Sequence, residues 1–227
     1  KSCLALGHRR LSILGRGQLG AQPMSYESER YWIVHNGEIY NFLELRAELK
    51  KFGHRFRSDT DTEIILAAYL QWGEDCQFRF NGMWAFAIWD KSEETLFLSR
   101  DRYGVKPLFF CYTPTKFIFA SELKAFMALP AYLKPDLDKE MIAYMKNVEA
   151  TERTLLKDVK NLLAGHCMKL RSGRSPIIRK WWSTVDHLVE PPKTFYEQVE
   201  QYRELFLDAC RIRMRSDVPV ATSLSGG

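Results

Sequence analysis

Arg10, the Asn36-Gly37 pair and Asp61 are the residues whose types suit chemistry. A side-chain amide and a glycine N–H held side by side can both donate to a developing oxyanion, and a glycine lets the backbone approach a substrate closely. The same dipeptide, flanked by WIVH and EIYN, is also a strong hairpin signal, so on local evidence a type I′ turn competes with the oxyanion reading. Asp61 opens an apolar run, where a carboxylate suits a helix dipole whatever its function. It can equally accept the ammonium of an amino acid whose carboxylate an arginine clasps, and Arg10 is the candidate arginine, set against the plain alternative of a surface residue. At the far end, VPVATSLSGG at 218–227 has the form of a strand leading into a phosphate-binding glycine turn.

Other chemistries find no pattern. His8, His35, His54, His166 and His187 form no HExxH, and no GxSxG elbow occurs. The five cysteines (Cys3, Cys76, Cys111, Cys167, Cys210) are scattered and never paired as CxxC, which points to neither a zinc site nor a disulfide framework. RDRYGVKPLFF at 100–110 could bind a ligand, but Gly104 and Pro107 also make an ordinary turn, which is the preferred reading. Trp181-Trp182 read as core or interface.

The elements that must position these residues are partly legible. Residues 2–13 suit a strand covered on both faces, and YWIVHNGEIY at 31–40 suits a second strand interrupted at Asn-Gly. Residues 41–53 and 60–73 have helical spacing, each ending in glycine, the second opening on the Thr60-x-x-Glu63 capping-box pattern. Short aromatic runs between 83 and 122 predict an antiparallel meander. A helix at 138–146 and a strand at 166–170 follow. EPPK at 190–193 is the best linker, and 194–215 predicts a long helix with Phe195, Val199, Tyr202, Leu205, Phe206 and Ala209 along one face. Helices set between strand groups predict an α+β fold.

The 227 residues can enclose one large core, and 46% hydrophobic with 27% charged residues is ordinary globular composition. The formal charge of +5 is diffuse, and its densest stretch, RIRMR at 211–215, matches a helix C-terminus better than a nucleic-acid patch. The longest apolar runs, 64–70 and 83–89, fall far short of a membrane span and no signal segment opens the chain, so no membrane partner and a cytoplasmic location are expected.

HRRLSI at 8–13, GAQPM at 20–24, HNGEIYNFLELR at 35–46, SDTDTEIILAAY at 58–69, FNGMWAFAIWD at 80–90, RDRYGVKPLFF and ASELKAF at 120–126 occur in an order that resembles the glutamine-hydrolysing asparagine synthetases. The resemblance implies an Ntn-hydrolase αββα sandwich of antiparallel sheets for a glutaminase domain over 1–190, and the start of an α/β synthetase domain over 191–227. It assigns Arg10 to the glutamine α-carboxylate with Ile13 and Leu14 beside it. Asn36 and Gly37 become the oxyanion hole, and Glu38 and Asp61 hold the amino-acid end. Ser223, Ser225, Gly226 and Gly227 become part of an ATP pyrophosphate loop. Aspartate, ATP and Mg²⁺ are then further participants, and a homodimer is compatible with the family. The family's nucleophile is an N-terminal cysteine. Cys3 stands too close to Arg10 to match it, so the resemblance implies a fragment cut at both ends, inactive alone. An ATP-dependent synthetase of the β-lactam synthetase type, with a non-catalytic Ntn-like domain, is the alternative.

Overall fold

The computed structural model describes residues 3–15, 17–113, 115–129, 134–135 and 151–222. The helix expected at 138–146 and the loop residues Ser223, Ser225, Gly226 and Gly227 lie outside them.

Two antiparallel sheets form the frame. The larger contains β1 (Met24–Tyr26), β2 (Tyr31–Ile39), β3 (Gly82–Asp90), β4 (Thr95–Arg100), β8 (His166–Arg171) and β9 (Ile177–Lys180), in the order β1-β2-β3-β4-β8-β9. The smaller contains β5 (Phe109–Tyr112), β6 (Phe117–Ala120) and β7 (Lys160–Asn161), in the order β6-β5-β7. The expected meander over 83–122 is therefore divided: β3 and β4 stay in one sheet, and the RDRYGVKP turn carries the chain to the other.

Period-two alternation decides which residue joins which layer. Ile33, Ile39, Trp84, Phe86, Ile88 and Phe97 pack with α1 (Phe42–Lys51) and α2 (Asp61–Trp72) on one face of the large sheet. On the other face Val34, Ala85, Ala87, Leu96, Leu98 and Met168 meet Leu108, Phe110 and Leu162, joining the two sheets. Phe126, on a 3₁₀ turn over Leu123–Ala128, covers the outer side of the small sheet with Cys111 and Val159.

Both early helices form where their sequences predict. Thr60 caps α2 by accepting from the Glu63 N–H, but the Glu63 carboxylate turns to the Arg57 and Ser58 N–H groups, so the reciprocal half of the capping box is not made. Three readings are corrected. Asn36-Gly37 is not a hairpin turn, because β2 runs straight through it, paired with β3 along its whole length. Residues 3–13 carry no strand. They cross the end of the large sheet, with Leu6 packed on the inter-sheet core. Residues 218–222 carry no strand either. The helix expected over 194–215 forms as α4 (Phe195–Arg213), the next helix after α3 (Cys76–Arg79) among the described residues, and its apolar stripe is exposed: Phe195 is 81% and Tyr202 70% accessible. Among the described residues α4 is held mainly by its C-terminal end, through buried Ile212, through Arg213 over the Tyr40 ring, and through Arg215 donating to the Glu44 carboxylate and the Tyr40 carbonyl.

Candidate functional site

The site lies at the end of the large sheet, where β2 outruns β1. The two pair only from Met24 opposite Ile33 to Tyr26 opposite Tyr31, so among the described residues the backbone groups of β2 beyond Ile33 that point away from β3 have no strand beside them. Odd-numbered β2 residues point that way, since the even-numbered Tyr40 donates its N–H toward β3 at Asn81. Side chains occupy part of this open edge. Gln22 Oε1 accepts the His35 N–H at 2.6 Å, and Asp61 Oδ2 accepts the Ile39 N–H at 2.9 Å. The Gly37 N–H lies between them and faces a cavity of about 160 Å³. Pockets for drug-sized ligands span roughly 300–1,000 Å³, so this one suits a small metabolite.

All seven residues assigned above to glutamine line that cavity: Arg10, Ile13, Leu14, Asn36, Gly37, Glu38 and Asp61. The Asn36 and Glu38 side chains leave β2 on the same face as Val34, continuing the line of the inter-sheet core into polar space. Gly37 is required here on two counts. Its φ of 150° is one that side chains rarely adopt, and an added Cβ would run into the Met83 carbonyl oxygen and come within 2.7 Å of Trp84 Cα. Arg10 is held from behind, with its guanidinium donating to the Leu14 carbonyl and lying flat over Gly20, where a Cβ would be 2.5 Å away.

The electrostatics suit a zwitterion. Asp61, 6% exposed at the first turn of α2, has its pKa raised by burial to about 6, although the Ile39 and Thr62 N–H groups and Arg10 oppose the rise. Burial, then the charge of Asp61, raises Glu38 also, while Lys106 pulls it down. Two carboxyl groups with raised pKa values and an arginine thus share one small space, a charge pattern that suits a ligand bearing both an ammonium and a carboxylate.

Sequence reasoning missed the histidines. His35 is 3% exposed, and burial pushes its pKa down to about 3, so it stays neutral; its Nδ1 lies 3.3 Å from Thr62 Oγ1. His8 Nε2 donates to the His35 carbonyl at 3.0 Å, which leaves its Nδ1 as an acceptor. Among the described residues His8 Nδ1 and His35 Nε2 are buried without a partner, and both residues line the cavity. Unsatisfied buried polar atoms are few in native proteins and each calls for an explanation, such as a bound water, ion or ligand; Gln77 Nε2 is a third such atom, away from this cavity. Gln22, Thr62, Met83 and Lys106 were missed too. The only signal was adjacency, His35 and Thr62 standing beside predicted residues and Gln22 and Lys106 lying in the quoted GAQPM and RDRYGVKPLFF segments.

Lys106 shows how the frame delivers a side chain. The turn reading of RDRYGVKPL is right, since the segment joins β4 to β5. Asp101 accepts the N–H groups of Trp84, Tyr103, Val105 and Lys106, and Arg100 donates to the carbonyls of Gly104, Lys106 and Leu162 and to Asn161 Oδ1. Arg102 lies over the Trp84, Trp181 and Trp182 rings.

The family model described as "Glutamine amidotransferase domain" matches residues 1–182. The chain belongs to this family. Asparagine synthetase (glutamine-hydrolyzing) 3 of Bacillus subtilis (strain 168) is 37% identical over 229 residues, covering 97% of this chain and 36% of that protein. A putative asparagine synthetase (glutamine-hydrolyzing) 2 of Methanocaldococcus jannaschii is 36% identical over 245 residues, covering 99% of this chain and 46% of that protein. The chain thus spans between about a third and a half of the length of these relatives. Among solved structures, the glutamine phosphoribosylpyrophosphate amidotransferase of B. subtilis superposes with a TM-score of 0.57 at 17% identity over 77% of this chain and 34% of that one. The fold is therefore the Ntn-type sandwich of the glutamine amidotransferases. Among the described residues no helix is long and apolar enough to cross a membrane.

Proposed function

We propose that the cavity binds L-glutamine, and that the chain serves as the glutamine-handling part of a glutamine-dependent asparagine synthetase. The observation that carries this reading is that one small cavity is lined by Arg10, Glu38 and Asp61 together with Asn36 and Gly37. Arg10 takes the α-carboxylate, Glu38 and Asp61 take the α-ammonium, and the side-chain amide extends toward Asn36 and Gly37. There the Asn36 amide and the Gly37 N–H stabilise the negative charge that develops on the carbonyl oxygen when a thiolate adds to the amide carbon. None of the five cysteines lines the cavity, so the reading assigns the attacking thiol to none of them. These residues supply binding, orientation and charge stabilisation.

In the whole enzyme, ammonia released from glutamine would convert ATP-activated aspartate to asparagine, with Mg²⁺ neutralising phosphate charge. Support comes from the names of the relatives. The residues proposed for ATP, Ser223, Ser225, Gly226 and Gly227, are outside the described structure, and the division at 190/191 and a cytoplasmic location stand as part of the same proposal. A second cavity of about 690 Å³ shares Leu14 with the first and is lined by Gly20, which lies under Arg10, and by Arg215, Ser216 and Asp217, so it offers space on the C-terminal side of the site.

The test is calorimetric titration of the chain with L-glutamine, D-glutamine, L-glutamate and L-norleucine. The reading expects saturable binding of L-glutamine, at least tenfold weaker binding of the D-isomer, and none of norleucine. Equal affinity for both enantiomers, or no binding up to 10-fold above the roughly millimolar upper end of ordinary substrate constants, would sink it.

A further inference from the structure

We infer that Gln22 is a positioning residue for the oxyanion site, acting as a one-residue substitute for the missing edge strand. The inference rests on the reading of Asn36-Gly37 as that site. In the β1–β2 register Met24 faces Ile33, so a continued β1 would place residue 22 opposite His35. The backbone pairing stops short of that point, at the residue after Pro23, which has no N–H to give a ladder. The Gln22 side chain does what the strand would have done. Its Oε1 accepts the His35 N–H at 2.6 Å and its Nε2 donates to the His35 carbonyl at 3.2 Å, the same donor and acceptor pair that a peptide group offers. Nε2 also lies 3.4 Å from Thr62 Oγ1, on the turn after Asp61.

The consequence falls on Gly37. Its neighbours on the open edge, His35 and Ile39, are each pinned by one side chain, Gln22 and Asp61 respectively. Gly37 has no side chain of its own to fix it, and its φ of 150° is held by the strand on either side. An oxyanion donor must point at the ligand before the ligand arrives. With Asp61 alone, one end of that five-residue stretch, His35 to Ile39, is fixed. With Gln22 both are. The His35 carbonyl has a second donor in His8 Nε2, whereas Gln22 supplies the partner for the His35 N–H.

The test uses the 227-residue chain labelled with ¹⁵N-glycine and ¹³C-carbonyl asparagine. Asn-Gly occurs at 36–37 and at 81–82, so two amide signals are selected, and Gly82, outside the cavity lining, is the internal control. In the native chain L-glutamine is expected to shift the Gly37 amide and leave Gly82 in place. In Gln22→Met, which keeps the bulk and loses both hydrogen bonds, the glutamine-induced Gly37 shift is expected to fall by more than half. Calorimetric affinity is expected to fall by a smaller factor than the Gly37 response, because Arg10, Glu38 and Asp61 are untouched. Gln22→Glu, which keeps the acceptor for the His35 N–H and sets a carboxylate against the carbonyl, is expected to lie between the two, and it carries the test if Gln22→Met does not fold. A full native Gly37 response in either variant overturns the inference while leaving the glutamine reading intact. Calorimetric binding to the native chain with no Gly37 response overturns the oxyanion assignment, and this inference with it.

Discussion

The open edge of β2 and the RDRYGVKP turn lie at the same end of the large sheet and are built on opposite plans. In the turn, Arg100 and Asp101 are 1% exposed and their charged groups spend themselves on backbone carbonyls and N–H groups. At the β2 edge, His8 Nδ1 and His35 Nε2 are buried without a partner, Asp61 holds a raised pKa, and Gly37 presents a bare N–H. A satisfied network defines one geometry, because removing any member leaves another buried and unpaired. An unsatisfied one stores unfavourable electrostatics that a matching ligand releases. The turn is the frame and the edge is the instrument.

Breaking the frame should produce the largest effect. Arg100→Leu strips donors from three carbonyls and from Asn161, and removing one member of a buried charged network costs about 3–5 kcal/mol. At about 2–4 °C per kcal/mol for a domain of this size, the melting midpoint should fall by roughly 6–20 °C, with the glutamine affinity of whatever remains folded changing little. A midpoint within a degree of the native value would mean that the turn is not the frame.

Gly37→Ala comes next and strikes both properties. The new Cβ meets strand backbone that cannot yield cheaply, so a loss of about 1–3 kcal/mol is expected together with loss of the Gly37 contribution to the site. Thermal melting and glutamine titration on one sample test the two halves.

Arg10→Met breaks only the instrument. Losing a charge-assisted pair of about 1.5–3 kcal/mol should weaken L-glutamine binding by about ten- to a hundredfold, with a melting midpoint near native. If stability falls and affinity does not, the contrast between the two regions is wrong at this residue.

The smallest effect is on pH. Asp61 binds its proton more tightly folded than unfolded, so its burial costs nothing at low pH and destabilises the ligand-free chain as pH rises through about 4 to 6. Glutamine's ammonium favours the ionised form, so affinity should rise over the same window. Asp61→Asn should flatten both trends, raise ligand-free stability above pH 6 and weaken binding at pH 7. Titration at pH 5 and pH 7 in native and variant chains distinguishes this from a general pH effect on the protein.

Local pattern carried far in this chain. The helical periods of 42–51 and 61–72, the glycines that end them and the aromatic runs that form β3 and β4 were legible because each depends on neighbours within a few residues. That the seven residues named for glutamine line one cavity was legible only through motif resemblance, since nothing local connects Arg10 to Asp61. Where sequence reasoning failed, the missing information was long-range. Asn36-Gly37 has a hairpin's composition but lies inside a strand, because nine consecutive pairings to β3 outweigh the turn preference of two residues. The apolar stripe of α4 was legible as a helix face, but periodicity states only that a helix has such a face and not what covers it, and here it is exposed.

The sequence alone therefore determined the two early helices and the central strands, the charge types available to the site and the family. Tertiary structure decided what those charges experience. The same aspartate is an ordinary helix cap in water and a carboxylate with a pKa near 6 when the end of a sheet closes over it. The same glutamine is a polar loop residue until register sets it opposite His35. Burial and register are sums over contacts distant in the chain, so no stretch of residues could declare them.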